Sequence, residues 1–168
     1  RSSDSIYSGA LDPAVTWKDV EWLRSLTRIP VLVKGVMDGD DAARAVGAGA
    51  SGIIVSNHGG RTLDTLPPTM EVLPGVIAKV AGRIPVLVDG GIRRGTDILK
   101  ALGMGAASVL IGRPSIYGLA VGGADGVAHV ISILRRELEA AMALTGRTSI
   151  AAIDGSVIWR PNRTSSQD

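Results

Sequence analysis

The sequence predicts an α/β fold assembled from repeated parallel strand–helix units. Three features carry this expectation. Four short runs rich in β-branched residues alternate with amphipathic helix patterns, IPVLV occurs twice, and each run is continuously apolar rather than alternating. Continuous apolar strands are those covered on both faces, as in parallel sheets.

The elements follow in order. Residues 1–15 are polar and turn-rich and read as a loop segment. Thr16 is a helix cap for residues 17–26, and the first strand is read at 29–33, ending in Lys34-Gly35. Asp38 caps a second helix over DDAARAVGAGA, before a strand at 52–55 that ends in SNHGGR. Thr69 is read as the cap of MEVLPGVIAKVA, where Pro74 is placed to divide the helix. The third strand, 84–88, ends in DGGIRRG, and Thr96 is read as the cap of DILKALGMGA. A fourth strand at 108–111 ends in Gly112-Arg113. The last helix is expected over 124–144, with Val127, Val130, Ile131, Leu134, Leu138 and Met142 on one stripe and Gly146 as its stop. Residues 16–158 show no internal domain boundary, and 159–168 read as a flexible tail.

Composition narrows the function. The 168 residues hold 22 glycines, above the usual share of about 7%, but without a Gly-X-Y period or low-complexity tracts. The absence of cysteine excludes disulfides, thiolate metal sites and cysteine nucleophiles. Two histidines argue against a multi-histidine metal centre, so no metal is expected. Eighteen basic residues against 16 acidic ones, with few aromatics, argue against nucleic acid as a partner. No secretory signal is read and no unbroken apolar run reaches the roughly 18 residues of a membrane span, so a cytoplasmic chain is expected.

The chemistry is expected where the strands end. In parallel α/β folds ligands bind at the carboxyl ends of the strands, and all four strands here deliver polar or glycine-rich clusters to that side. Glycine lets backbone N–H groups approach an anion, and arginine adds a planar fork of donors. If the four strands are the second half of a barrel, a phosphate belongs between Gly91, Arg93, Gly112 and Arg113; Arg94 is read as solvent-facing. His58 is suited to proton transfer near neutral pH and Arg61 to clamping a carboxylate, although a lone loop histidine is more often simply solvated. His129, isolated in the last helix, is read as solvated. Lys34, at the end of a buried strand, would stabilise a developing anion.

TWKDVEWLRS, IPVLVKGV, GIIVSNHGGRTLD, IPVLVDGGIRRGTDILKALGMGA and SVLIGRP together resemble the FMN-dependent 2-hydroxy-acid oxidases and dehydrogenases, among them glycolate oxidase, lactate oxidase, mandelate dehydrogenase and hydroxymandelate oxidase. The resemblance runs from about Thr16 to Asp154. It implies a (β/α)8 TIM barrel, of which this chain supplies the C-terminal half, strands five to eight. It implies FMN as cofactor, with Lys34 beside the flavin N1–C2 carbonyl region and Ser56 in contact with the flavin. Asp89, Gly90, Gly91, Ile92 and Arg93, with Gly112 and Arg113, would hold ribityl and phosphate. His58 would be the catalytic base and Arg61 would bind the substrate carboxylate, while Asp64 matches the motif and is read as ordering the loop.

The implied reaction is oxidation of a small (S)-2-hydroxy acid to a 2-oxo acid, with oxygen reoxidising the flavin to give hydrogen peroxide. A mandelate-like substrate is the first expectation, with glycolate and lactate open, and a membrane dehydrogenase less favoured than an oxidase. The carboxylate that orients the histidine, a second substrate arginine and the substrate-side tyrosines are expected from the N-terminal half of the same barrel. That half is therefore an expected partner, in a homo-oligomer, and the chain reads as a fragment. The alternatives are a non-redox phosphate-binding half barrel acting on a nucleotide or sugar phosphate, and a catalytically silent binding half.

Overall fold

The computed structural model describes residue 12 and residues 14–159. The expectations for residues 1–11, 13 and 160–168, most of the loop segment and the tail, lie outside the described residues.

Four strands, β1 (Leu32–Val36), β2 (Gly52–Val55), β3 (Val86–Val88) and β4 (Ser108–Val109), form one parallel sheet in the order β1-β2-β3-β4. The helices α1 (Trp17–Leu26), α2 (Gly39–Gly47), α3 (Thr69–Val80), α4 (Gly95–Gly103) and α5 (Arg113–Leu144) separate and follow them, with 3-10 turns at Ile150–Ala152 and Gly155–Val157. Adjacent strands in sequence are adjacent in the sheet, the arrangement of repeated βα units.

Helix starts follow local chemistry. Asp38 caps α2, its carboxylate accepting from the N–H groups of Asp40 at 2.8 Å and Asp41 at 3.1 Å. At α1 the Asp19 carboxylate reaches back to the Thr16 N–H at 2.6 Å and its hydroxyl at 2.8 Å, and these bonds hold the Asp19 carboxyl below its ordinary range. Two expected caps are corrected. The α3 cap is Pro68, with Thr69 the first helical residue, and the α4 cap is Arg94, with Thr96 inside the helix. Pro74 does not divide α3: Leu73, Val76 and Val80, all nearly fully buried, hold the helix in one piece despite the missing N–H.

The last helix is divided by non-helical geometry at Gly122 and Gly123, so a helical segment covers 124–144 as read, and a further segment from Arg113 precedes it. The segment before the break was missed, although Pro114 in its first turn is a helix-start signal. Of the expected stripe Leu134 is buried, but Ile131 is exposed. By length and composition α5 is apolar enough to cross a membrane, contrary to the reading of unbroken runs, but the break interrupts it.

Strand one runs later than expected, through Lys34 and Gly35 to Val36. Lys34 pairs with Ile54 and Val36 with Val55, so Gly35 is the extra residue of a β-bulge. Its φ of +96° is open to glycine and strained for other residues. The bulge turns Val36 to the same face as Val55, where it is buried, and leaves Lys34 on the opposite face.

The two faces of the sheet differ. Ile53, Val55, Val86 and Val88 pack against Ala42 and Ala45 of α2 and Leu73, Val76 and Val80 of α3. Leu99, Ala141 and Ile153 form a second cluster that joins α4, α5 and the C-terminal turns. Strand alternation puts Leu32, Lys34, Ile54, Ser56, Leu87 and Asp89 on the other face. Neither core cluster takes a side chain from that face, where Leu32 remains 42% exposed although Ile54 and Ser56 are buried. Coverage on both faces, expected from the continuous apolar runs, is thus realised for β2, buried at all four positions, and not for β1, where only Val36 is buried.

Candidate functional site

The sheet face opposite the main core carries the polar cluster. Lys34 Nζ, from β1, lies 2.7 Å from Asp89 Oδ2 at the end of β3 and donates to Ser56 Oγ, at the end of β2, at 2.7 Å. One ammonium therefore ties three strand ends together and uses two of its three donors. Ser56 is 1% exposed, and its Oγ also accepts from the His58 N–H at 3.1 Å. The second Asp89 oxygen, Oδ1, is buried with no hydrogen-bond partner. A buried acceptor left unpaired costs about 1–3 kcal/mol, so it marks a place for an external donor.

The loop after β2 starts with an unusual backbone. His58, Gly59 and Gly60 have φ of 55°, 70° and 73°, all left-handed. For a non-glycine residue such as His58 this conformation costs roughly 1–2 kcal/mol and needs support. Asn57 supplies it, its Oδ1 accepting from Gly59 N at 3.1 Å and Gly60 N at 3.2 Å. The sequence reading missed Asn57, although an Asn before a run of glycines is itself a turn signal. His58 and Arg61 are exposed, and neither side chain has a hydrogen-bond or ion-pair partner among the described residues. Asp64 is exposed in the same loop.

Of the expected anion-binding residues, Arg113 contacts the histidine loop: its Nη2 donates to Gly59 O at 2.8 Å. Gly91 and Gly112 are exposed, and Ile92 is buried below the turn. At the start of α4 the Asp97 carboxylate accepts from Arg93 N and Arg94 N, each at 3.0 Å, and Glu137 of α5 accepts from Gly95 N at 2.8 Å. These amides are already satisfied, so an anion would meet the Arg93 side chain rather than the α4 N-terminus. An open cleft of about 530 Å³ lined by Arg93, Arg94, Asp97 and Glu137 lies here. Its charges balance, so the candidate site is placed at the strand ends instead. Arg94 is exposed, as expected, and so is His129.

Gly90, at φ +90°, sits where a Cβ would come within 2.9 Å of Thr69 Oγ1 and 3.4 Å of Asn57 Oδ1. Thr69 is buried, and its hydroxyl donates to Asp89 O at 2.6 Å. This contact was invisible in the sequence, where Thr69 reads as a helix cap. Among the described residues no group of three or more His, Asp or Glu side chains is placed to hold a metal.

A polyol phosphate fits this set: the Lys34 ammonium and Arg113 as donors, the unpaired Asp89 oxygen as acceptor, and glycine turns at positive φ beside them. The sequence comparisons point the same way. The chain is 58% identical over 153 residues to a 2-hydroxyacid oxidase of Dictyostelium discoideum, covering 91% of this chain and 39% of that protein. It is 56% identical over 152 residues to an L-lactate oxidase of Nostoc sp., covering 90% and 42%. A crystal structure of mandelate oxidase with benzoyl-formic acid superposes with a TM-score of 0.81 at 50% identity, over 83% of this chain and 42% of that one. The chain thus spans about two fifths of the length of these relatives, and its four strands are part of the (β/α)8 barrel of flavin-dependent oxidases. Since the sequence model of FMN-dependent dehydrogenases matches residues 1–160, the chain belongs to that family.

Proposed function

We propose that this chain is the FMN-binding half of an oxidase that converts an (S)-2-hydroxy acid and oxygen into a 2-oxo acid and hydrogen peroxide. The observation that carries the reading is the Lys34–Ser56–Asp89 cluster, with its unpaired Asp89 Oδ1, on the face opposite the main core. FMN, when bound, supplies a two-electron acceptor. Asp89 Oδ1 would accept from a ribityl hydroxyl, and Arg93 and Arg113 would hold the phosphate. The third donor of Lys34 would face negative charge on the open side, a preorganised cation that needs no reorganisation during reaction. Arg61 would bind the substrate carboxylate bidentately, and the His58 imidazole would take the substrate proton. Names of relatives support the substrate class: a 2-hydroxyacid oxidase, an L-lactate oxidase and, from rice, glycolate oxidase 1.

The partner we propose is the N-terminal half of the same barrel, seated on that sheet face and completing the substrate pocket. Leu32 on that face is 42% exposed, and leaving such a side chain wet forfeits roughly 1.5–3 kcal/mol. Expressed alone, residues 1–168 should lack cooperative unfolding and retain little FMN. A monomer of this segment that folds cooperatively and turns over a 2-hydroxy acid would overturn the half-barrel reading.

The function itself is tested on the full-length protein with FMN, by measuring peroxide and 2-oxo acid from glycolate, lactate and mandelate. Equal amounts of both products are expected. Bound FMN without turnover would favour the silent binding half, and a protein that takes phosphate but no flavin would favour the non-redox alternative. A homo-oligomer and a cytoplasmic location belong to the same proposal. Light scattering tests the first, and cell fractionation the second against the peroxisome named for three relatives.

A further inference from the structure

Only two polar side chains are fully buried among the described residues, Ser56 at 1% exposure and Thr69 at 2%. Ser56 belongs to the cluster already described. Thr69 stands at the first position of α3, yet it makes no side-chain cap for its own helix. Its hydroxyl has one proton, and the short contact to Asp89 O at 2.6 Å uses it, with Gly90 O more distant at 3.4 Å. A threonine at a helix start ordinarily serves the helix. Here it serves the turn after β3.

That turn needs an external tether. Asp89 is the last residue before Gly90 and Gly91, both at positive φ, where the chain leaves the ladder. Asp89 N is held by Val55 O at 3.0 Å, and its side chain by Lys34. The Asp89 carbonyl on the other side of the residue is held by Thr69. Gly90 allows this approach, since any Cβ there would press on Thr69 Oγ1 and Asn57 Oδ1. Both ends of the loop carrying His58 and Arg61, Asn57 at the start and Thr69 at the end, therefore abut the same peptide.

We infer that Thr69 is a positioning residue for the cofactor: by fixing the Asp89 carbonyl it aims the unpaired Asp89 carboxylate oxygen toward the ligand. This rests on the FMN reading above and adds a residue to it. The Thr69 hydroxyl need not touch the cofactor; it acts through Asp89.

The experiment measures FMN dissociation constants by flavin fluorescence on the full-length protein, with circular dichroism to verify folding. Thr69→Val keeps the shape and removes the donor, and should weaken FMN binding about three- to tenfold. Thr69→Ser keeps the donor and should stay within about twofold. Thr69→Ala carries the same prediction as valine should valine not fold. In an Asp89→Ala background, with no carboxylate left to aim, Thr69→Val should cause no further loss. Wild-type FMN affinity in the valine variant, equal losses for serine and valine, or additive losses with Asp89→Ala would each overturn the inference. A wild-type protein that binds no FMN would instead overturn the reading on which it rests.

Discussion

Lys34, Ser56 and Asp89 hold one another through contacts of 2.7 Å at the ends of three strands, whereas the exposed His58 and Arg61 side chains, in the loop after β2, make no hydrogen bond or ion pair among the described residues. The first group is fixed by the sheet ladder and half-covered by its neighbours. The second is carried by backbone alone: three left-handed residues steadied by Asn57 and by the Arg113–Gly59 contact. A site whose members bond to one another is preformed. A site whose members point free acquires its geometry from whatever closes over it. On the proposed assignment the cofactor side of this half is therefore preorganised, while the substrate side takes its geometry from the proposed N-terminal half; the chain spans about two fifths of the length of its relatives.

Substitutions on the two sides should separate them. The largest effect is expected from His58→Gln, which should lower turnover by about 10²- to 10⁴-fold while FMN stays bound, since the imidazole has no part in the strand-end cluster. Stopped-flow reduction of the enzyme by substrate reads this directly, and near-normal rates would remove His58 as the base. Next, Arg113→Ala combined with Arg93→Ala should weaken FMN retention by about 100-fold, each arginine contributing a charge-assisted contact. Full flavin after extensive dialysis would show that these arginines do not anchor the phosphate.

Arg61→Lys sharpens the comparison from the substrate side. A point charge cannot reproduce the bidentate fork, so KM should rise about tenfold with FMN affinity unchanged. Loss of flavin with unaltered KM would move Arg61 to the cofactor side. The smallest effect lies outside both regions. Asp38→Ala removes the α2 cap and should cost about 1 kcal/mol of stability, read from chemical denaturation, without changing FMN affinity.

What the sequence determined by itself is what neighbouring residues settle among themselves. Asp38 bonds amides two and three residues ahead, Thr16 and Asp19 close α1, and Gly90, Gly91, Gly59 and Gly60 take the positive φ that other residues resist. The order of strands and helices, and the polar strand ends, were legible for the same reason: each follows from a period or a turn within a dozen residues. The resemblance added the family, and with it the barrel. Tertiary structure alone decided the rest. Lys34 meets Asp89 because the parallel register sets β1, β2 and β3 side by side, and no local pattern encodes which acid a lysine will find. The Gly35 bulge, seen only against β2, turns Val36 into the core and leaves Lys34 on the opposite face. Thr69 reads as a helix cap until β3 is packed beside it, and Pro74 reads as a break until burial of Leu73 and Val76 outweighs one missing hydrogen bond. Local rules act through the backbone over a few residues; contacts between strand ends depend on register and packing, which only the folded chain supplies.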